Sequence, residues 1–481
     1  MHSLGPNGLG GSQSTPAGTL ARPGRDRVTS VIEQIARTGE AQRGWGGARS
    51  VRHRLIPLRR LRKLIAANAM RLVEAVQSSR GNPLAEVLAC EVLPLADACR
   101  FLEREAGQIL RSRRLAASSR PLWLAGVCAE VRHEPSGTVL VIGPSNYPLF
   151  LPGVRALQAL IAGNAVLLKP GEGGTPAATE FVRLCRESGF DPELLQLLPE
   201  SAEAAGEAID AGVDKVILTG SARTGEKVLT RLAPRLVPAI IELSGCDAAF
   251  IQPDADLELA ARALRFALVW NGDATCIAPR RVFVDRRIAA ELEAHLTGAL
   301  RALPHTSGRW KLDSRADALV RDAIKRGARP LTDLVGSDNR AAHPTVLADA
   351  GVDMLLLHQD VFAPVLALVP VSSDAEALEA AGRCPFALGA KIFGEERRAL
   401  VLAKRVHASV VLINDVIVPT ADPRLPFGGQ GRSGFGHELV RRYIEAVHGS
   451  TWKQRWVARW TLLGNLIQKG LTGPAPGESR Q

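Results

Sequence analysis

Three residues of this chain have the types and settings that covalent catalysis needs. Cys276 lies in NGDATCIAPRRVFV (residues 271–284), at the end of a long apolar segment and just before a strand-like run. A cysteine there is either a buried spectator, the commoner fate of this residue type, or a thiol nucleophile. Glu242 lies in IIELSG, after a hydrophobic strand. A carboxylate among apolar neighbours loses hydration, so its pKa is expected to rise toward the range of a general base. The alternative is a buried ion pair, but no cation stands close in sequence, and Cys246 holds a position where a lysine could have helped. Asn146 lies in PSNYP, a loop stiffened by two prolines. Its amide suits a developing oxyanion, and the same residues also make ordinary turns.

Two further segments suit an anionic ligand. LLKPGE ends a strand at Lys169, which could bind a ribose hydroxyl or a phosphate, while Glu172 could accept from a ribose and would repel a 2′-phosphate. LTGSARTGEK (218–227) reads as strand, turn and helix start. Gly220 would let a ligand approach the backbone, and Ser221 would cap the helix and offer its hydroxyl to a phosphate. It is neither a GxGxxG fingerprint nor a P-loop, because Glu226 sits where a P-loop has its lysine.

Something must hold these residues at one place. From Gly137 the chain alternates short continuous apolar runs (GTVLVIG, AVLLKP, LLQLLP, VDKVILTG, VPAIIEL) with helical segments, several closed by glycines such as Gly163 and Gly189. That alternation predicts a doubly wound parallel sheet, which binds ligands at the carboxyl ends of its strands. Asn146, Lys169, Ser221 and Glu242 all fall at such ends. A second alternating series (AAFIQ, RRVFV, PVLALVPV, GAKIFG, VVLIN) predicts a second α/β lobe, and residues 28–110 read as helical.

Composition narrows the class. With 481 residues, 46% hydrophobic and 23% charged, the chain is sized for two or three lobes of a soluble globular protein. The net charge of +11 is concentrated in residues 1–63, which hold twelve Arg or Lys against Asp26, Glu33 and Glu40. No aromatic-interleaved basic motif accompanies it, so a nucleic-acid partner is not expected. Seven cysteines without a CxxC pair argue against a zinc site or a disulfide framework and fit a cytoplasmic location. No apolar run reaches the roughly 18 residues of a spanning helix.

The motifs together resemble the NAD(P)-dependent aldehyde dehydrogenase superfamily over roughly residues 28–455. PSNYP, AGNAVLLKPGE, TGSARTG, IELSG, NGDATC, QDVFAPV and LPFGGQGRSGFGHE follow one another in the family's order. The separation of Glu242 from Cys276 (276 − 242 = 34 residues) also matches it. The resemblance implies an α/β fold: a Rossmann-like cofactor domain over 28–241 with an extended oligomerisation insertion near 113–133, a catalytic domain over 242–420, and a C-terminal return with an oligomerisation strand over 421–455. Residues 1–27 would be disordered, and 456–481 would form an amphipathic tail. By the same resemblance Cys276 is the nucleophile, Glu242 the base and Asn146 an oxyanion donor together with the Cys276 N–H. Lys169, Glu172, Gly220, Ser221, Gly225, Asp360 and Phe362 would hold the dinucleotide. NAD⁺ is favoured over NADP⁺, and the partners implied are a small-molecule aldehyde and a second or fourth copy of the chain. No metal is implied.

The implied reaction is oxidation of an aldehyde to a carboxylic acid through a thiohemiacetal and a thioester. A free thiol titrates near ~8.5, so a helix end or the cofactor's positive charge is expected to assist Cys276. The chain departs from the family where Asp273 and Ala274 replace Gly-Gln, where Ser244 and Cys246 replace Gly and Lys, and where Asp360 replaces Glu. Two alternatives stay open: a CoA-acylating aldehyde dehydrogenase, which Glu242 argues against, and a catalytically inactive member serving as a binding or assembly protein.

Overall fold

The structure is a computed structural model that describes residues 23–47, 49–116, 118, 129–303, 310–332, 340–341, 344–436 and 443–446. A helical layer comes first: α1 (Pro23–Gln42), α2 (Val51–Ala67), α3 (Ala69–Arg80), α4 (Leu84–Val87) and α5 (Leu93–Ile109). Helix α1 begins inside the segment expected to be disordered. Two short strands, β1 (Arg113–Arg114) and β2 (Glu130–Val131), pair antiparallel where the extended insertion was expected.

The alternating segments then fold as predicted: β3 (Thr138–Ile142), α6 (Phe150–Ile161), β4 (Ala165–Lys169), α7 (Thr175–Ser188), β5 (Leu195–Leu197), α8 (Ala202–Ala211), β6 (Lys215–Gly220), α9 (Ala222–Leu232) and β7 (Ala239–Leu243). Strands β3 and β4 are buried along their whole length, which is why their sequences are unbroken apolar runs. The sheet order is β19-β7-β6-β3-β4-β5. Counted from β3, the parallel strands run 3-2-1-4-5, the dinucleotide-binding order whose switch point lies between β3 and β6. The PSNYP loop leaves one side of that point and Gly220 the other. The sixth position belongs to β19 (Gly434–Phe435), an antiparallel strand returning from the C-terminal part of the chain. Gly434 sits opposite Glu242 with φ 109°, and a Cβ there would lie 1.9 Å from the Ile241 carbonyl oxygen, so only glycine fits beside the base strand.

The second lobe contains β8 (Asp247–Ile251), α10 (Leu257–Val269), β9 (Pro279–Asp285), α11 (Ala289–Arg301), β10 (Trp310–Lys311), α12 (Ser314–Lys325), β11 (Arg329–Pro330), β12 (Arg340–Ala341), β13 (Thr345–Ala348) and β14 (Val365–Val371). It continues with α13 (Asp374–Gly382), β15 (Phe386–Ala387), β16 (Gly389–Phe393), α14 (Glu396–Ala403), β17 (Val410–Ile413), β18 (Gln430–Gly431) and β20 (Tyr443–Ala446). Its eight-stranded sheet has the order β11-β13-β14-β9-β8-β16-β17-β20. Glu242 lies in the last parallel strand of the first sheet, and the second sheet opens at Asp247. The chain passes from the first sheet to the second through Ser244–Cys246. No helix among the described residues is long and apolar enough to cross a membrane. The expected tail, 456–481, lies outside the described residues.

Candidate active site

The segment carrying Cys276 is built from a helix end and a tight left-handed turn. After α10, Asn271 (φ 56°) and Gly272 (φ 59°) both adopt positive φ. Asparagine and glycine are the residues that tolerate this. Side chains from far-off segments hold the turn. Asn82 donates to Asn271 Oδ1 (2.9 Å), Asn271 Nδ2 donates to the Asn146 carbonyl (2.9 Å), and Glu86 accepts from the Gly272 N–H (3.2 Å). The PSNYP loop grips back: Asn146 Nδ2 donates to the Ala274 carbonyl (2.8 Å), and the Tyr147 and Thr275 hydroxyls are hydrogen-bonded (3.0 Å). Asn146 has a second amide hydrogen that this contact does not use.

Behind Cys276 runs a fully buried ion pair. Lys391 Nζ lies 2.5 Å from Asp247 Oδ2 and 2.5 Å from the Ile277 carbonyl, and both side chains are 1% exposed. Lys391 arrives from β16, while the cation beside Cys246 is Arg281, whose Nε donates to the Cys246 carbonyl (2.9 Å). Burial pushes the Cys276 thiol well above its ordinary range. The charges of Glu242 and Asp247 push it further, and Lys391 opposes them. The helix that precedes Cys276, α10, ends before it and so presents its C-terminal end, not the N-terminus that would assist a thiolate.

Glu242 is buried and not isolated. Arg155 Nη2, from α6, donates to Glu242 Oε2 at 2.9 Å, which corrects the expectation of no cationic partner. Arg155 also donates to Gln158 (3.2 Å). Glu242 Oε1 is buried with no hydrogen-bond partner among the described residues.

Two cavities meet at these residues, and both are lined by Leu151, Glu242 and Cys276. The first, of about 410 Å³, has Asn146, Lys169, Glu172, Gly220, Ser221, Asp360 and Phe362 on its wall. Of the predicted ligand-binding residues only Gly225 is missing from the wall. Its Cβ would lie 2.9 Å from both Leu243 methyls, so it is a packing contact of α9 against β7. Ser221 caps α9 by accepting from the Thr224 N–H (3.2 Å). The Lys169 ammonium is held below its ordinary value by burial, against the carboxylates of Glu200, Glu172 and Glu203. Asp360 is engaged at both oxygens, by Ser244 Oγ (2.6 Å) and Arg315 (3.0 Å). An ammonium, a helix N-terminus, an exposed carboxylate and apolar side chains such as Leu319 and Phe362 make up a lining that fits a dinucleotide.

Sequence reasoning missed Arg155, Arg315 and Lys391. Of these only Lys391 carried a local signal, a charge in the middle of the apolar strand GAKIF.

Comparison with known proteins follows the same line. The Aldehyde dehydrogenase family model matches residues 13–452. A 4,4'-diapolycopene aldehyde oxidase of a Methylomonas species is 33% identical over 439 residues, covering 88% of this chain and 82% of its own. Among solved structures, the NAD-dependent aldehyde dehydrogenase of Sinorhizobium meliloti is similar with a TM-score of 0.76 and 25% identity, covering 85% of this chain and 83% of that one. The NADP-dependent glyceraldehyde-3-phosphate dehydrogenase of Bacillus halodurans C-125, complexed with NADP, gives 0.75 and 26%, covering 86% and 87%.

Proposed function

Since the chain belongs to the aldehyde dehydrogenase family, whose members oxidise aldehydes with NAD(P), we propose that Cys276 is its nucleophile, Glu242 its hydrolytic base and Asn146 its oxyanion donor. The observation that carries this reading is the meeting of a dinucleotide-suited cavity and a second cavity at Cys276 and Glu242. The Cys276 thiol gives up its proton to solvent, the thiolate attacks the carbonyl carbon, and the carbonyl electrons move to oxygen. The spare amide hydrogen of Asn146 and the Cys276 N–H receive that oxyanion. A dinucleotide held by Lys169, Ser221, Asp360 and Phe362 would supply the hydride acceptor, and loss of hydride from the thiohemiacetal leaves the acyl group on Cys276 as a thioester. Glu242 then takes a proton from water, and the hydroxide displaces the thiolate as the carboxylic acid forms. The unpartnered Oε1 supports this role, because a buried acceptor without a donor costs about 1–3 kcal/mol and binding that water removes the cost.

The high-lying thiol of Cys276 makes cofactor charge the natural source of activation. Glu172, an exposed carboxylate on the wall of the first cavity near Lys169, supports NAD⁺ over NADP⁺. The paired β1 and β2 and the sheet-edge strand β20 support a homodimer or homotetramer. Free thiols at Cys90, Cys99, Cys185, Cys246, Cys276 and Cys384 support a cytoplasmic location.

The test is NADH formation from an aldehyde, with and without CoA. Cys276→Ala should abolish oxidation and leave NAD⁺ binding within about threefold, because the thiol bonds to substrate alone. Cys246→Ala should stay active, and CoA should change nothing. An essential Cys246 with a dispensable Cys276 would overturn the assignment.

A further inference from the structure

The second cavity, about 760 Å³, is the larger of the two. Near its Cys276 end stands the bonded Tyr147–Thr275 hydroxyl pair. From there one face of α5 lines it. Pro94, Ala98, Phe101 and Ile109 recur at helical spacing, and Ile109 is 51% exposed, marking the outer end. Pro94 to Ile109 spans fifteen residues (109 − 94), a run of about 22 Å at the helical rise. Val154 of α6 and Trp270 are also on its wall.

Charged groups on this lining are largely engaged with one another. Arg155 is held by Glu242 and Gln158, and Arg424 pairs with Asp422. Lys215 lies four residues before Thr219, the residue level with Glu242. At strand rise that is about 13 Å from the reacting end. At the reacting end the one cation among the described lining residues is Arg155, already engaged by Glu242 and Gln158, and the wall that α5 and α6 add beyond it is mostly apolar, so it offers more contact to hydrocarbon than to a short carboxylate, phosphate or ammonium.

We propose that the aldehyde oxidised here is carried at the end of a long apolar chain, which lies in this channel along α5 with its carbonyl at Cys276. The proposal rests on the reading of Cys276 as the nucleophile. Carbon–carbon bonds of about 1.5 Å at 111° advance roughly 2.5 Å per two carbons, so 22 Å accommodates roughly 16–18 carbons.

The experiment measures kcat/KM for propanal, hexanal, decanal and 4-oxobutanoate with saturating cofactor. Burying each methylene is worth about a fourfold gain, so kcat/KM should rise at least tenfold from propanal to hexanal and again to decanal. 4-Oxobutanoate should rank below hexanal. A flat or falling series, or 4-oxobutanoate as the best substrate, overturns the chain-binding channel and leaves Cys276 as nucleophile untouched. Val154→Trp narrows the channel from a half-buried position. It should lower the decanal-to-propanal ratio of kcat/KM at least tenfold, a readout that partial unfolding does not move, and an unchanged ratio counts against the proposal. Binding is read separately from chemistry by titrating Cys276→Ala with dodecanamide, which is unreactive. Binding tighter than that of propanamide by at least a hundredfold supports the channel even if no aldehyde turns over, which would overturn only the nucleophile reading. Equal binding of the two amides overturns the channel.

Discussion

Removing the Lys391 ammonium should unfasten the nucleophile segment from behind. In Lys391→Met the side chain keeps its length and loses its charge. Asp247 then stands in the core with the Gly389 N–H (3.0 Å) as the remaining donor shown to its carboxylate, and the Ile277 carbonyl loses the ammonium. Both members of the pair are 1% exposed, so solvent cannot replace the lost partner. Breaking one side of a buried pair typically costs about 3–5 kcal/mol, equivalent in a chain of this size to a fall in Tm of roughly 3–5 °C. Asp247 is already held above the ordinary carboxylate range by burial, against the charge of Lys391. An acid whose pKa is raised by folding binds more protons folded than unfolded. Its contribution is therefore full below the unfolded value of about 3.9 and is lost as pH rises through the folded value. Without Lys391 the folded value climbs, so the destabilisation of Lys391→Met should deepen from pH 5 to pH 8. Adding Asp247→Asn removes the stranded charge and should return most of the lost stability. Thermal unfolding followed by fluorescence at both pH values decides it. A single-variant loss below about 1 kcal/mol, or a double variant as unstable as the two singles summed, would refute the buried-pair argument.

Glu172→Gln should raise kcat/KM with NADP⁺ relative to NAD⁺ by about fivefold, since one exposed charge at contact is worth about 1 kcal/mol in water. An unchanged ratio in steady-state kinetics would place the discrimination elsewhere. Alkylation of Cys276 by iodoacetamide in cofactor-free protein, read by peptide mass spectrometry, should climb about tenfold per pH unit through pH 9 without levelling, because burial and the charges of Glu242 and Asp247 hold the thiol protonated. A plateau below pH 8 would mean that the thiolate forms unaided.

The sequence made the strands of the cofactor sheet legible because each is buried on both faces and so reads as an unbroken apolar run. Their carboxyl ends then named Asn146, Lys169, Ser221 and Glu242 in advance. Arg155 stayed hidden because it sits 87 residues before its partner Glu242, on a helix whose pattern accounts for an arginine without any partner. Arg315 was hidden for the same reason, being joined to Asp360 only through the fold. Gly225 was misplaced because TGSARTG carries two glycines, one facing the cavity and one packing against Leu243, and local sequence does not distinguish them. The meeting of Lys391 with Asp247 depends on the pairing of β8 with β16, which only topology supplies.

The proposed chemistry stands on a thioester forming on Cys276 and on Glu242 activating the water that cleaves it. Glu242→Gln keeps the shape and removes the proton acceptor, and loss of a general base typically costs about 10²–10⁴-fold. Rapid mixing of Glu242→Gln with NAD⁺ and decanal should therefore give a burst of NADH approaching one per site and then near-arrest, with the acyl group found by mass spectrometry on the peptide containing Cys276. Equal steady turnover by wild type and Glu242→Gln in the absence of CoA, with no acyl group on Cys276, would contradict the mechanism.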